Sequence, residues 1–455
     1  MTRRATRLAR ITLAALLAIS SLPCAAADDP APRLAAGPMP GHSAMRAATI
    51  WLQLTAAAEV RIDYWPEGRP GKLASSRTVA AKAPEQYAVH IELTGLEPGT
   101  RYAYRVIADG RPLAADDVLY FRTQPLWQWR GDPPPFRLLA GSCAYINEAA
   151  YDRPGRPYGD RYDIFTSMAA QSPDMMLWLG DNVYLREADY DSRWGMAARY
   201  RHTRALPELQ PLLRAAHHYA IWDDHDYGPD NASRSFVFSD TSRELFMRYW
   251  ANPSYGVRDS GGIFTQVDFH DVDFFLLDNR SWRNQDRTSD GPDKHMFGAA
   301  QLDWLKDALL ASRAPFKIIA SGSQLLNDVT GKEAWTHFPD EREAFLAWLE
   351  TAGINGVLLL SGDTHYSALF RLPRADSYPL HELTCSPLTS GAHRHGFGEE
   401  NPRLVPETYI AARNFCQLDV SGPRDDRRLR ISVIDADGET RWTHDLRARE
   451  LTAVR

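Results

Sequence analysis

The hydrophobic pattern divides the chain into two parts that differ in periodicity. Over residues 48–123, apolar side chains alternate with polar ones, as at Ile50, Leu52 and Leu54. Alternation with a period of two is typical of β-strands with one buried face. About five to seven such strands within roughly 80 residues predict a small β-sandwich, which we place at residues 46–124.

The segments on either side of the predicted sandwich lack this alternation. Residues 28–45 are rich in Ala, Pro and Gly and predict a linker, and the proline-rich stretch 125–135 predicts a domain boundary. Within the sandwich, residues 94–104 resemble the corner before the sixth strand of fibronectin type III domains, where a buried tyrosine fixes a turn. Tyr102 and Tyr104 are the tyrosines of this segment.

From residue 136 onward, predicted strands alternate with predicted helices, which is the pattern of an α/β domain. We place this domain at residues 136–447. Apolar runs predict strands at 136–140, 175–179, 219–222, 263–269, 272–277, 316–320 and 357–360, with closing strands at 415–420, 429–434 and 440–446. Amphipathic segments predict helices near 164–170, 207–216, 301–310 and 341–349.

A polar cluster follows each of five predicted strands. The clusters are Gly141-Ser142-Cys143, Gly180-Asp181-Asn182-Val183-Tyr184, Asp223-Asp224-His225-Asp226, Ser321-Gly322-Ser323-Gln324 and Ser361-Gly362-Asp363-Thr364-His365. In open α/β sheets the ligand site lies outside the carboxyl ends of the strands. We therefore predict that these clusters meet in one site.

Asp181 and Tyr184 indicate what this site binds. They follow a buried strand and lie three residues apart. Carboxylate and phenol oxygens in such a place cost free energy unless they are paired or bound to a cation. A hard metal ion takes oxygen ligands and tolerates a phenolate. Taken alone, the Gly-Asp pair is a weak signal, because an Asp after a Gly more often caps a turn.

The composition indicates an ordinary globular protein. Hydrophobic residues make up 44% of the chain and charged residues 24%, as in typical soluble domains. The formal net charge of −6 gives no basic surface for nucleic acid. We expect a small-molecule partner, no nucleic-acid or membrane partner, and a monomer.

Residues 1–27 predict a targeting segment. Arg3, Arg4, Arg7 and Arg10 form a basic start, residues 11–22 an apolar stretch, and 25–27 a small-residue cleavage site. The apolar stretch is shorter than the roughly 20 residues that span a bilayer. An ordinary secretory signal and a twin-arginine signal both fit. We expect export to the periplasm or the medium.

Three cysteines follow this segment: Cys143, Cys385 and Cys416. Export permits disulfides, and an odd count leaves one thiol unpaired or employed otherwise. If Cys385 paired with Cys416, Cys143 would be the cysteine left unpaired or employed otherwise. A buried inert thiol is the alternative interpretation of Cys143.

The combination GSC, GDNVY, IWDDHD and SGDTH, in this order, resembles the metallophosphoesterase superfamily. More narrowly, it resembles the PhoD-type alkaline phosphatases and phosphodiesterases, over nearly the whole chain after residue 27. The resemblance implies a four-layer α/β/β/α catalytic domain, preceded by the fibronectin type III-like β-sandwich. It also implies a multinuclear metal centre.

The ligands of this centre carry over residue by residue. Asp181 takes the place of the carboxylate that bridges two metals, and Tyr184 matches the phenolate that binds ferric iron in purple acid phosphatases. Cys143 replaces the usual first-motif Asp, as in the PhoD-type enzymes, and His365 completes an Fe³⁺ site. Asp181 with Asp224 and Asp363 forms an oxygen-only set that suits Ca²⁺ better than Zn²⁺, and other divalent ions remain possible.

The resemblance also implies catalytic and substrate-binding residues. His225 matches the histidine that protonates the leaving group or stabilises the transition state. Asn231 lies where the family carries further Asn residues near the metals. Arg280 could clamp a phosphoryl oxygen through two donors, and a surface ion pair with Asp278 is an equal alternative.

Four further residues have no settled role. Gln324 and Asn327 lie where the wider superfamily has a metal-binding histidine, which this chain lacks. This leaves the coordination of the second ion open. His393 and His395, in a Gly-rich loop, either touch substrate or are exposed.

The sequence thus predicts an exported hydrolase of phosphate monoesters, diesters or both, with a metal-activated hydroxide attacking phosphorus. A phospholipase or nuclease on the same fold is the alternative within the enzymes, because loops 145–160, 284–298 and 390–405 would set specificity. An exported binding module with a degenerate site is the non-enzyme alternative. The intact set of metal ligands argues against it.

Overall fold

The computed structural model describes residues 31–113, 118–258, 260–329, 333–375, 377–393 and 401–453. The predicted targeting segment 1–27 and His395 lie outside these residues. Within them, no helix is both long enough and apolar enough to cross a membrane.

Within the described residues before 125, the chain forms nine strands. In chain order they are β1 (Leu34–Ser43), β2 (Ala47–Leu54), β3 (Ala58–Pro66), β4 (Ala74–Ser75), β5 (Val79–Ala81), β6 (Ala88–Thr94), β7 (Arg101–Ala108), β8 (Arg111–Pro112) and β9 (Leu119–Arg122). They form one sheet of order β1-β2-β6 and a second of order β4-β3-β7-β8, with β5 on β3 and β9 on β7. Their inner faces share a hydrophobic core, so this part of the chain is a β-sandwich, as predicted.

Tyr102 fixes a turn in the sandwich. Its side chain is buried, and its hydroxyl accepts a hydrogen bond of 2.8 Å from the backbone N–H of Glu97. The two residues flank the Pro98-Gly99 turn, so the tyrosine ties the start of β7 to the preceding corner. This contact is the one that the sequence of residues 94–104 predicts.

The prediction of a linker at residues 28–45 is wrong for most of that range. Residues Leu34–Ser43 form β1, which pairs antiparallel with β2 through several register shifts. Pro38 and Pro40 lie in this irregular strand, and its middle residues are buried. The Ala, Pro and Gly content, typical of a loop, therefore reflects a bulged strand whose irregular register accommodates the prolines.

From residue 125 onward, the part of the chain that the structure describes contains twelve further strands and seven α-helices. The strands are β10 (Phe136–Gly141), β11 (Met175–Leu179), β12 (His217–Ile221), β13 (Thr265–Phe269), β14 (Val272–Leu276), β15 (Phe316–Ser321), β16 (Val357–Ser361), β17 (Ala368–Leu372), β18 (Leu380–Thr384), β19 (Asn414–Ser421), β20 (Arg428–Asp435) and β21 (Thr440–Arg447). The helices are α1 (Ile164–Ala170), α2 (Arg193–Arg204), α3 (Gln210–Ala215), α4 (Asp224–Tyr227), α5 (Ser239–Tyr249), α6 (Ala299–Ala311) and α7 (Pro339–Thr351).

The twelve strands form two six-stranded mixed sheets. One has the order β12-β11-β10-β19-β20-β21 and the other β13-β14-β15-β16-β18-β17. Strands β10, β11 and β12 are parallel, as are β14, β15 and β16. In sequence, α1, α2 and α3 connect the first parallel set, and α6 and α7 connect the second. The predicted α/β/β/α architecture is confirmed.

A disulfide joins the two sheets. Cys385 follows β18 in one sheet, and Cys416 lies in β19 of the other; the two sulfurs are bonded. Among the cysteines that the structure describes, Cys143 is the free one, and it is buried. The pairing of Cys385 with Cys416, which the sequence left open, is thus the one that the structure has.

The sandwich packs against the α/β part, and the described residues from 32 onward belong to one compact unit. Trp51 in β2 is fully buried, and its indole N–H donates a 2.8 Å hydrogen bond to the carbonyl of Arg248 in α5. The ring also packs against Tyr249 at 5.8 Å and lies 5.2 Å from the Arg204 guanidinium. Trp51 thus anchors the sandwich on the helical layer.

We expect Trp51→Ala to lower the free energy of unfolding by about 3–5 kcal/mol, the usual cost of emptying a buried aromatic site. Chemical denaturation of the purified variant measures this loss. Trp194→Ala is the matched control, because the Trp194 side chain is 68% exposed. A loss in Trp51→Ala no larger than in the control would show that this packing contributes little.

Candidate metal centre

The polar clusters meet where the carboxyl ends of the two parallel strand sets face each other. Two glycines permit this approach. A Cβ on Gly362, after β16, would lie 2.6 Å from both the Ser142 hydroxyl oxygen and the Leu179 carbonyl oxygen. Gly180, after β11, has a φ of 90°, and a Cβ there would lie 2.7 Å from the Asp223 Cβ. No other residue fits either position without a shift of the backbone.

Cys143, Asp181, Tyr184 and His365 form one buried cluster. The ligand atoms of Cys143, Asp181 and His365 all lie within 4.8 Å of one another. The Tyr184 hydroxyl donates to Asp181 Oδ2 at 3.1 Å and lies 3.1 Å from His365 Nε2. The Cys143 sulfur lies 3.6 Å from the same Asp181 oxygen. These are the four residues predicted to bind iron.

The tautomer of His365 suits a metal ligand. Its Nδ1 lies 2.7 Å from the carbonyl oxygen of Gly391, which can only accept a hydrogen bond, so Nδ1 carries the proton. Nε2, on the Tyr184 side, therefore has its lone pair available. Burial, followed by the proximity of His393, lowers the pKa of His365 to about 3, so the imidazole is neutral.

Without a cation, the Cys143 thiol and the Tyr184 phenol of this cluster would both keep their protons and be uncharged. Burial and then the Asp181 carboxylate raise the pKa of both the Cys143 thiol and the Tyr184 phenol. Burial and then Asp224 likewise raise the pKa of Asp181. A bound cation reverses this preference, because the charged forms of these groups are its ligands. One thiolate, one phenolate, one carboxylate and one neutral imidazole form a donor set that fits ferric iron.

The second oxygen of Asp181 faces a different group. Asp181 Oδ1 accepts a 3.3 Å hydrogen bond from the backbone N–H of His225, and the ligand atoms of Asp181, Asp224 and His225 lie within 4.8 Å of one another. The Asp224 carboxylate also accepts a 2.5 Å hydrogen bond from the backbone N–H of Asn231. Asp181 therefore lies between two candidate ion sites with one oxygen toward each.

Asp363 belongs to a third group, with Asp223 and Glu333. The predicted calcium set of Asp181, Asp224 and Asp363 is thus spread over neighbouring groups, and it stays a prediction. Burial and then Asp224 raise the pKa of Glu333 to about 8. Glu333 was not predicted. It lies in an irregular loop rather than directly after a strand, so no pattern in the sequence singles it out.

Arg280 forms ion pairs with two members of this acidic group, Asp223 and Glu333. Its guanidinium is fully buried, pairs with the Asp223 carboxylate, and donates to Glu333 at 2.8 Å. The alternative of a surface ion pair with Asp278 is wrong, because Asp278 instead accepts a hydrogen bond from the Arg280 backbone N–H. Contact between Arg280 and substrate stays a prediction. The protein partners of Arg280 indicate that it orients Asp223 and Glu333.

Several of the candidate ligands have left-handed backbone conformations. The φ values are 63° at Cys143, 52° at Asp181, 67° at Asp363 and 57° at His365. Each such residue costs on the order of 1–3 kcal/mol, which the surrounding structure must offset. Strain of this kind gathers at functional sites, where it aims side chains at a common point.

Gln324 does not replace the metal-binding histidine that the superfamily has near this position, because both atoms of its side-chain amide are already hydrogen-bonded. Its amide nitrogen donates to the Thr384 hydroxyl at 3.0 Å, and its amide oxygen accepts from Asn327 at 2.7 Å. Asn327 in turn accepts a 2.5 Å hydrogen bond from Asn401. The two residues therefore form a buried amide network beside the centre.

The His225 side chain lies at the edge of the centre, with one ring nitrogen in the group of Asp181 and Asp224. Its ring packs on the Tyr184 ring with 4.2 Å between centroids. Nε2 lies 3.8 Å from the Asp230 carboxylate, and among the described residues Nδ1 has no hydrogen-bond partner although it is buried. One ring nitrogen is thus available to a ligand in the site.

His393 stacks on His365, with 4.6 Å between ring centroids. Tyr158 also reaches His365, with its hydroxyl 3.0 Å from Nδ1. Sequence reasoning named His393 without a role and missed Tyr158. Tyr158 lies in a long loop with no repeating pattern, so the sequence carried no signal for it.

Two family models match the chain. The model described as "PhoD-like phosphatase" matches residues 138–415, and a model of a domain of unknown function, DUF7800, matches residues 31–124. A curated relative is alkaline phosphatase D of Bacillus subtilis (strain 168), 23% identical over 343 residues. This alignment covers 65% of the chain and 56% of the relative, so the chain spans little more than half of that relative's length.

Two solved structures share the fold. One is a structure of PhoD, with a TM-score of 0.74, 18% identity, and coverage of 91% of this chain and 90% of the other. The other is purple acid phosphatase PPD1 from yellow lupin (Lupinus luteus) seeds, with a TM-score of 0.65 and 12% identity over 91% of this chain and 75% of the other. Both identities are below 25%, so these similarities show the fold alone.

Proposed function

Because the chain belongs to the PhoD-like phosphatase family, we propose that it is a metal-dependent hydrolase of phosphate esters, monoesters, diesters or both. The position of Asp181 carries this proposal. One of its oxygens faces Tyr184 and Cys143, and the other faces the Asp224 group. A carboxylate placed in this way can bridge two ions.

Cys143, Asp181, Tyr184 and His365 would hold Fe³⁺, and Asp181, Asp224 and Asp363 would contribute to a Ca²⁺ site. When bound, these ions supply Lewis-acid activation of water and neutralise charge on the phosphoryl oxygens. Glu333 lies in acidic groups with both Asp224 and Asp363. We add it to the residues that would hold the second ion, in the place of the missing histidine.

His225 would donate a proton to the departing oxygen of the substrate. Its side chain is part-exposed beside Tyr184, and the free ring nitrogen described above can face a bound ester. Arg280, by holding Asp223 and Glu333, would keep the acidic groups oriented.

A panel of four substrates tests the proposed function and separates its alternatives. Hydrolysis of p-nitrophenyl phosphate or bis(p-nitrophenyl) phosphate by the metal-loaded protein is the expected result. Faster turnover of phospholipid or DNA than of either small ester would assign the protein to the phospholipase or nuclease alternative. No hydrolysis of any of the four by protein that holds its metals would favour the binding-module alternative.

We also propose that the protein is exported through residues 1–27. The disulfide between Cys385 and Cys416 supports this, because structural disulfides persist in oxidising compartments. Amino-terminal sequencing of the protein recovered from the periplasm or medium checks the proposal. A mature chain that still begins at Met1 would contradict cleavage of this segment.

A further inference from the structure

A buried serine contacts the Cys143 sulfur from the opposite sheet. Cys143 follows β10 of one sheet, whereas Ser386 follows β18 of the other. The Ser386 side chain is fully buried, and its hydroxyl oxygen lies 3.1 Å from the Cys143 sulfur. Ser386 has no role in the metal centre as described so far, although it touches one of the four residues that would hold iron.

The proton of the Ser386 hydroxyl points to this sulfur. The hydroxyl oxygen already accepts a 3.0 Å hydrogen bond from the backbone N–H of His365. A serine hydroxyl has one proton to donate, and a backbone N–H cannot accept it. Among the described residues, the acceptor that the hydroxyl reaches is the Cys143 sulfur. Ser386 therefore donates to Cys143 and accepts from His365.

A second hydroxyl near the same sulfur uses its proton elsewhere. The Ser142 hydroxyl oxygen lies 3.3 Å from the Cys143 sulfur, and it donates to the carbonyl oxygen of Cys385 at 3.0 Å. Turning this proton to the sulfur would take the hydrogen bond away from a buried carbonyl, which costs free energy. Ser142 and Ser386 thus lie at similar distances from the sulfur and differ in where their protons point.

Hydrogen bonds fix the backbone of Ser386. Its N–H donates to the Ser367 hydroxyl at 3.0 Å, and its carbonyl oxygen accepts from the Asn414 side-chain amide at 2.9 Å. The Ser367 hydroxyl in turn donates to Asn414 Oδ1 at 2.6 Å, which closes the network. The preceding residue, Cys385, is bonded to Cys416. The position of the Ser386 hydroxyl is therefore built into the fold.

We propose that Ser386 is a positioning residue of the iron site, whose hydroxyl donates a hydrogen bond to the Cys143 thiolate. This inference rests on the proposed function. Hydrogen bonds to metal ligands orient them, and hydrogen bonds to a ligating sulfur change how strongly it donates to the metal. A donor aimed at a charged acceptor also forms a stronger bond than a neutral pair. The same hydroxyl links Cys143 to the backbone of His365, so it aligns two ligands that follow different sheets.

Resonance Raman spectroscopy tests this hydrogen bond directly. Metal-free protein is loaded with iron once in ordinary water and once in D₂O. Excitation into the thiolate-to-iron band enhances the Fe–S stretch, whereas the ring modes of the Tyr184 phenolate appear at their own frequencies. Because deuterium would replace the Ser386 proton, we expect the Fe–S stretch of the wild-type protein to shift between the two solvents. The same frequency in both solvents would overturn the proposal.

Two variants identify the donor. In Ser386→Ala the isotope shift should vanish, and competition with a chelator should show an iron affinity lower by roughly 10–100-fold, the usual cost of losing a partner of a metal ligand. Ser142→Ala is the matched control, because it removes a buried hydroxyl near the same sulfur whose proton points to Cys385. It should keep the isotope shift. A shift that persists in Ser386→Ala or disappears in Ser142→Ala would also overturn the proposal.

Failure of this inference and failure of the proposed function give different results. If the protein hydrolyses the small p-nitrophenyl esters but shows no Fe–S stretch, Cys143 does not bind iron, and the role of Ser386 fails while the hydrolase function stands. If the Fe–S stretch shifts in D₂O through Ser386 but none of the esters is hydrolysed, the proposed function fails and the role of Ser386 stands.

Discussion

Asp181→Ala should lose at least roughly 10⁴-fold in kcat on every phosphate ester, the scale seen when one member of a cooperating catalytic group is removed. The physical reason is the double contact of Asp181. It accepts from Tyr184 through one oxygen and from the His225 backbone through the other. Its removal therefore affects both candidate ion sites, and elemental analysis should find both metals depleted.

The control for this variant is Asp445→Ala. Asp445 is exposed and pairs with Arg430 on a surface strand, so its loss should change activity and metal content little. Asp181→Ala protein that is folded, holds both metals at wild-type levels and hydrolyses esters at a tenth of the normal rate or faster would contradict the bridging role.

His225→Ala should keep its metals and lose roughly 10²–10⁴-fold in kcat, the usual contribution of general acid catalysis. The loss should be large for alkyl phosphates, whose departing oxygen needs a proton. It should be small for p-nitrophenyl esters, whose phenolate leaves unaided. Steady-state kinetics on both substrate classes, with metal analysis of the same samples, measures the difference.

Other outcomes reassign His225. Equal losses for both leaving-group classes, with metals retained, would mean that His225 stabilises charge on the phosphoryl oxygens. Loss of metal would make it a ligand, which its place in one group with Asp181 and Asp224 allows. His444→Ala is the matched control, because His444 lies in β21 away from the centre.

The core of the fold was predictable because strand ends in an α/β domain obey simple geometry. Parallel strands place their carboxyl ends together, so the clusters after β10, β11, β12 and β16 had to converge. The residue types in these clusters then limited the chemistry to metal binding. Cys143, Asp181, Tyr184 and His365 lie together for this reason.

The elements missed by the sequence analysis have weak or misleading patterns. Helix α2 is strongly polar, and its buried face includes Arg199 and Arg204, so its sequence does not show a clear apolar stripe. The strand β1 contains two prolines, and its composition is typical of a linker. It nevertheless pairs with β2 and packs on the rest of the chain. In both cases tertiary contacts outweigh local propensity.

The missed site residues lie in loops. Glu333 and Tyr158 reach the centre from irregular segments whose course depends on packing far along the chain. The same holds for the role of Arg280, whose partners Asp223 and Glu333 are 57 and 53 residues away in sequence. Local patterns carry no information about such contacts, whereas three-dimensional packing determines them.

The central claim is that Cys143 and Tyr184 bind ferric iron next to a second ion. Visible absorption spectroscopy of the purified active protein, with elemental analysis of the same sample, tests it most directly. We expect a phenolate-to-iron charge-transfer band, about one iron per chain, and calcium as the accompanying metal. In Tyr184→Phe the band should vanish while Cys143, Asp181 and His365 remain. A colourless protein that is fully active and contains no iron would contradict the account.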